Sequence, residues 1–427
     1  MVDWLNISQA SGRGDTNITV TASANTGSTR NTELTLSGHT KTDTVSVLQH
    51  AVPSDAEFAF DVTSAGTISW GIATYQFPST TYVPSISYSK NGGTWSSPSS
   101  SDTISVVAGD ELKFKGDNQN IIRLYFTSNG AMFSAKGNIM SLISSTGYQS
   151  ADTASEFEFY RKFTGCTGLT DASGIKMPSG SIGRYCCWCM FMDCTNLMAA
   201  PELPATDLWY GAYLAMFYQC PSLVLPPSVL PATVVPGACY TNMFGSCTSL
   251  ATAPEICATT FWDSYYSNVS EGSCNGMFTN CRSLETPPSV LKPKVLGKSS
   301  YMGMFNGCSA MKESPVIEAE TLADMSLDGM FQGCSLLSSI TCLATSNVTT
   351  SSTLNWVSGV SRTGTFVKSS SMNSWSTGKD GIPSGWTVTN YVQQRSRNIL
   401  STKKPLMPVA IMGTQYLDNN KTNWIIG

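Results

Sequence analysis

MFMDC, at residues 190–194, recurs as MFYQC (216–220), MFGSC (243–247), MFTNC (277–281), MFNGC (304–308) and MFQGC (330–334). A weaker copy, KFTGC, stands at 162–166. The cysteines that close these phrases are Cys166, Cys194, Cys220, Cys247, Cys281, Cys308 and Cys334, spaced 28, 26, 27, 34, 27 and 26 residues apart. A near-constant period in the twenties denotes stacked supersecondary units. The interval of 34 reads as one coil carrying an insertion, around 263–272.

Other positions lock to the same frame. Three residues after each Cys stands Leu169, Leu197, Leu223, Leu250, Leu284, Met311 or Leu337. Seven after it, the five central coils carry Pro201, Pro227, Pro254, Pro288 and Pro315, where the end coils have Ser173 and Thr341. Nine or ten after it comes Ile175, Leu203, Leu230, Ile256, Leu291, Ile317 or Leu343. Four before each Phe is a bulky or sulfur-bearing residue, Phe159, Cys187, Tyr213, Tyr240, Cys274, Tyr301 or Leu327.

This is the pattern of a solenoid, in which no coil buries its apolar face alone and neighbours share one core. The apolar positions −4, 0 and +3 around Phe predict a short helix or helical turn. The Leu-x-x-x-Pro-x-Leu segment predicts an extended strand. Phe and Cys recur because each fills an interior slot, and the two residues between them face outward. Free Cys acts as a small buried hydrophobe, so a row of them is a packing device. Stacked side chains run parallel, which suits a disulfide poorly. The stretch CCWCMF (186–191) invites a zinc reading. Yet Cys186, Cys187 and Cys189 each fall in a slot of the frame, and the two histidines, His39 and His50, lie far upstream.

The whole phrase F-x-x-C-x-x-L-x-x-x-P-x-[LI] resembles the leucine-rich repeat of the BspA type. MFYQCPSLVLPPSVLPAT resembles the variant found in gut Bacteroidales and their phages. The resemblance covers about 157–345 and implies a solenoid of about seven coils. Residues 1–51 alternate apolar and polar in NITVTAS, TELTLSG and TVSVLQH, as strands do. With Trp4, Asn25-Thr26-Gly27, Arg30 and Val47-Leu48-Gln49 they resemble a BACON domain. That is an immunoglobulin-like module for which carbohydrate or mucin binding has been suggested. Arg13-Gly14-Asp15 lies in this module and reads first as a turn. Residues 52–156 predict a second β-sandwich-like module and N-terminal cap. Its Asn91-Gly92 marks a hairpin, and Gly109-Asp110 a second turn. Residues 346–390 resemble the segment that closes such repeats, with Trp356, Trp375 and Trp386 as plug residues. The expected fold class is therefore mixed β and solenoid.

Residues 391–427 resemble nothing familiar. Arg395, Arg397, Lys403, Lys404 and Lys421 against Asp418 give five positive charges and one negative, on a chain whose net charge is −4. An apolar run at 405–412 follows. The expectation is an attachment tail held by a neighbouring subunit, through Arg395, Arg397, Lys403, Lys404, Leu406 and Met407; the alternative is that it folds back along the C-terminal cap of its own chain as an extra strand.

Composition narrows function. Charged residues make up 13% of the chain, and no basic stripe argues for nucleic acid. No apolar run is long enough to span a membrane. The N-terminus has no secretory leader pattern, and five Asn-x-Ser/Thr sites read as ordinary composition. No Ser-His-Asp set, phosphate loop, HExxH or paired carboxylate stands out, so the reading is non-enzymatic, with no cofactor and no metal. The slot after the strand varies most and carries Trp209-Tyr210 in one coil and Trp262 with Tyr265 and Tyr266 in another. Such rings either stack on sugars or pack on neighbouring coils. The resemblances imply a phage virion protein, a tail fibre or head appendage, whose partners are other virion proteins or its own copies and a host-surface or mucin glycan. The alternative is a bacterial cell-surface adhesin of the BspA kind whose signal peptide has been removed.

Overall fold

The structure, a computed structural model, describes residues 5–7, 11–13, 20–22, 30–38, 42–49, 53–72, 85–97, 102–118, 124–262, 272–372, 375–392, 409–412 and 423–426. The chain divides into two units, Met1–Pro53 with Ser396–Gly427, and Ser54–Arg395.

In the first unit, β1 (Leu5–Ile7) pairs with β3 (Val20–Ala22). Strands β2 (Ser11–Arg13), β4 (Arg30–Gly38) and β5 (Thr42–Gln49) belong to a five-stranded sheet, whose other two members come from the far end of the chain. Asn423–Ile426 lies between β2 and β4, antiparallel to both, and Val409–Met412 pairs antiparallel with β5 on the edge. Both strands are bonded within their own chain. The basic residues and Leu406 and Met407 assigned to attachment lie outside the described residues.

The second unit begins with seven strands: β6 (Phe58–Val62), β7 (Gly66–Ile72), β8 (Ile86–Lys90), β9 (Thr103–Val106), β10 (Glu111–Gly116), β11 (Leu124–Asn129) and β12 (Phe133–Asn138). They form two sheets, one containing β12-β6-β10-β8 and the other β11-β7-β9, around buried Phe58, Phe60, Phe114, Phe126 and Trp70. Asn91 and Gly92 turn the chain back after β8 with φ of 52° and 70°, as a two-residue hairpin requires. On its far side β12 pairs in parallel with β13 (Leu169–Lys176), the first strand of the solenoid. The sheet of this module therefore runs directly into the coils.

The solenoid is mostly β and contains no α-helix among the described residues. The expected helical turn is instead a chain of β-turns. Met190, Met192 and Cys194 bond their N–H groups to the carbonyls three residues back, on Cys187, Cys189 and Phe191. The alternate N–H groups, on Cys187, Cys189, Phe191 and Asp193, reach the next coil at Ala212, Leu214, Met216 and Tyr218. Every fourth residue is left-handed: Tyr185, Cys189 and Asp193 in one coil, and Gly272, Gly276 and Asn280 in another. This is the third position of every second turn (183–186, 187–190 and 191–194 in the first of these coils), where a positive φ is required by turns of type II. The period is thus four rather than 3.6, close enough to mimic helical spacing. The fourth letter of the repeated phrase (Asp193, Gln219, Ser246, Asn280, Gly307, Gly333) is one of these left-handed positions. It drifts among residues most of which tolerate that conformation or form turns.

Phe163, Phe191, Phe217, Phe244, Phe278, Phe305 and Phe331 stack with centroids 5.2–5.8 Å apart and planes within 8° of parallel. The column starts in the β module, where Phe126 stacks on Phe163 at 5.6 Å. It ends on an eighth rung, where Trp356 takes the Met slot and receives the Phe331 N–H on its carbonyl, as Met330 receives that of Phe305, and Val357 takes the Phe slot. The Trp356 ring lies 6.0 Å from Phe331 and stacks on Trp375 at 5.4 Å. The solenoid therefore has about eight turns, not seven. The segment read as a closing cap carries the last of them: Thr365–Lys368 and Thr387–Asn390 extend the parallel sheet. One slot also moves. Cys342, not Leu343, pairs with Ile317 and is buried, because the register slips after Glu313.

The cysteines form a second column. The thiol that closes each phrase from Cys194 to Cys334 donates to the Phe carbonyl of the preceding coil, Cys194 to Phe163 at 3.0 Å and Cys334 to Phe305 at 3.1 Å. Several of these carbonyls, Phe191 among them, also accept the Cys N–H of their own coil. Cys thus fills volume and satisfies a second lone pair, which Ala does not. All fourteen cysteines are free thiols, thirteen of them buried. Burial pushes Cys247 and Cys334 up to about 12, so they are protonated and unreactive at physiological pH.

The prolines have an equally local cause. All five are buried, at a position whose N–H would have no partner. In the coils that lack proline a side chain supplies the acceptor: Ser173 N–H bonds to Asp171, and Thr341 N–H bonds to Ser314 at 3.1 Å. Pro288→Ala should therefore cost roughly 1–3 kcal/mol, the penalty of a buried unsatisfied donor. Ala253, in the coil before Pro288, occupies the slot that Ser314 holds in the coil before Thr341, so Ala253→Ser should recover part of that loss. Denaturant titration of the four members of this cycle measures the coupling; a coupling of zero contradicts the assignment.

Candidate functional site

Outward positions of a solenoid are released from the packing that fixes the inward ones, so a functional surface is sought there. The sequence singled out the slot after the strand. The N–H of Trp209 bonds to the carbonyl of Ile182 at 3.0 Å, and that of Trp262 to Val235 at 3.3 Å. The two tryptophans therefore occupy the same rung position, two coils apart, with buried Pro236 between them. Stacked rungs at strand spacing put two-coil equivalents roughly 10 Å apart. Trp209 is 43% exposed and Trp262 is 40% exposed, as are neighbouring Val234 and Val295 at 46% and 48%. The Trp209 indole N–H donates to Ser181 Oγ at 3.2 Å, which fixes the ring across the preceding coil. Both rings are thus partly open to solvent while held by the ladder beneath.

Tyr210 is not part of this pair. It turns the corner onto the β-turn side and packs edge-on to Tyr185 at 5.5 Å. There it joins a cluster the sequence reading missed. Phe157 stacks on Tyr185 at 5.3 Å, and Trp188 contacts Tyr185 and Tyr160 at 5.4 and 4.9 Å. The signal lay in the outward slot three before Phe, which holds Tyr160 and Trp188 in the first coils and Thr241 and Asn275 further on. These rings are largely covered by one another, and Tyr160 is buried. Tyr265 and Tyr266 lie outside the described residues.

The first coil carries one interior anomaly. Lys162 stands where the other phrases place Met, and Glu158 stands where later coils place Ser. Both are buried. Burial lowers the Lys162 amine to about 8 and raises Glu158, whose carboxylate accepts the Ser155 N–H and faces the Lys162 charge. Each offsets the burial of the other. Among the described residues no group of three His, Cys, Asp or Glu side chains is placed to hold a metal ion. Among the described residues no helix is long and apolar enough to cross a membrane.

Comparison with known proteins adds one local finding. Residues 2–50 match the BACON family, described as "Putative binding domain, N-terminal". The match covers the stretch in which β1 to β5 lie and none of the coils. No curated protein and no solved structure matches the chain.

Proposed function

We propose that this chain is a non-enzymatic recognition protein that presents a rigid solenoid face to glycans, as a virion component of a phage, a tail fibre or head appendage. The observation that carries the recognition reading is the pair of solvent-facing tryptophans held at equivalent rungs two coils apart. An exposed indole is unfavourable in water, and nothing in the repeat requires it: the same slot is Gly297 and Ala323 in later coils. A pyranose ring offers a flat face of C–H groups that covers such a ring, with hydroxyls left at its edge. The match of residues 2–50 to a family described as a binding domain points the same way.

The repeat phrase resembles the BspA-type leucine-rich repeat, and its pairing with a BACON-like module supports the virion setting. The same pairing supports a bacterial surface adhesin as the second reading. Trp209→Ala and Trp262→Ala are expected to weaken binding to mucin or host-surface polysaccharide while leaving the melting temperature unchanged. A lowered melting temperature with unchanged binding would make the tryptophans packing residues. Mass spectrometry of purified virions separates the two settings, since only a virion component is found there.

A further inference from the structure

The strand-side face bearing the two tryptophans has a composition that selects among glycans. Two outward rows flank its buried row (Ile182, Leu208, Val235, Phe261, Leu296, Leu322). One runs from Ser181 through Asp207, Val234, Thr260 and Val295 to Thr321, and pairs of its members are bonded in parallel register. The other runs from Gly183 through Trp209 and Trp262 to Ala323. Asp207 is the single ionisable residue in either row. The next position outward carries both signs, with Arg184 and Lys298 against Asp324. On the opposite side Lys294 is paired with Glu318 and Glu320. No field of one sign covers the face.

We infer that the ligand of this face is a neutral, extended polysaccharide lying along the solenoid axis over Trp209 and Trp262. This rests on the glycan reading given above and narrows it. A charged polymer finds no counter-charge in these rows and would lose hydration without return. An uncharged one finds two stacking faces flanked by hydroxyls of Ser181, Thr260 and Thr321. The direction follows from the ladder. Equivalent sites repeat only along the axis, so a polymer of repeating units meets equivalent surroundings only in that direction. The two-coil interval, roughly 10 Å, is close to the repeat of a two-residue sugar unit in an extended chain, so both tryptophans can engage rings that present the same face. Trp209 is already oriented by its bond to Ser181, and that ordering cost is met before binding.

The geometry also predicts a gain. Ala323 is half-buried and lies in the same row, two coils beyond Trp262. Ala323→Trp places a third ring at the same interval. The test is calorimetric titration of the full chain with a hexasaccharide of β-1,4-linked glucose, its disaccharide, and an acidic extended polymer, polygalacturonate. The hexasaccharide should bind, the disaccharide far more weakly, and polygalacturonate not at all. Trp209→Ala or Trp262→Ala should each weaken the hexasaccharide by about tenfold or more, the loss expected for an anchoring aromatic. Ala323→Trp should tighten a longer oligomer and leave the disaccharide unchanged. Binding of polygalacturonate or acidic mucin that ignores both tryptophans would overturn this inference and leave the glycan reading standing. Failure to bind any of these glycans or mucin would overturn both. If the tryptophan variants instead alter the mass measured by light scattering, the face is a protein interface and the inference is wrong.

Discussion

Phe244→Ala should be the most damaging single substitution in the coils. Phe244 is fully buried and stacks on Phe217 at 5.4 Å and Phe278 at 5.5 Å. Its carbonyl accepts both the Cys247 N–H and the Cys281 thiol. Removing the ring leaves a cavity in a column whose neighbours are fixed by interstrand bonds above and below, so collapse is limited. The expected loss is about 3–5 kcal/mol, as for other core Phe truncations. A solenoid's stability is approximately a sum of coil and nearest-neighbour terms. The loss should therefore concentrate at the two interfaces of this coil, and amide exchange should rise there before it rises at either end. Phe244→Leu, which retains most of the volume, should lose markedly less. A change near zero for the alanine variant would remove Phe244 from the interior.

Deleting residues 396–427 should unfold the first unit and spare the second. Asn423–Ile426 is the strand that joins β2 to β4, and Val409–Met412 covers the edge of β5. Without them β2 has no partner and β4 gains an open edge, in a unit too small to tolerate losing two strands. Limited proteolysis followed by intact-mass measurement should find cleavage within residues 1–53 in the truncated chain alone. The fragment from about residue 54 onward should stay resistant and melt as it does in the full chain. Equal resistance of residues 1–53 in both chains would show that these two strands do not hold the first unit together.

The fold was legible in the sequence where one residue repeats for one reason. The Phe and Cys columns follow from the period alone, because an interior slot admits few side chains. The turn chain did not follow, since apolar residues at −4, 0 and +3 fit both a helix and a period of four. The deciding clue was the fourth letter of the phrase, whose Asn, Asp and Gly mark left-handed backbone. The eighth rung was hidden because Val357 stands in the Phe slot and Val360 in the Cys slot, so neither fixed letter of the phrase recurs there. The strands near the C-terminus were hidden for a different reason. VAIM and NWII are four-residue runs whose partners lie hundreds of residues away, and no local pattern encodes such a pairing. The equivalence of Trp209 and Trp262 could be read from the frame. Their exposure could not, nor could the contacts that bring Phe157, Tyr160, Tyr185 and Trp188 together.

The central claim is that the repeated phrase builds one continuous interior of stacked rings and reduced thiols. Thiol titration with a chromogenic reagent under non-reducing conditions tests it most directly. In the folded protein at most one group, the partly exposed Cys257, should react. In denaturant all fourteen should react, and they should appear together with the loss of the solenoid's near-ultraviolet aromatic signal. Rapid reaction of several thiols in the folded state, or fewer than fourteen after denaturation without reductant, would contradict the stacked interior described for these coils.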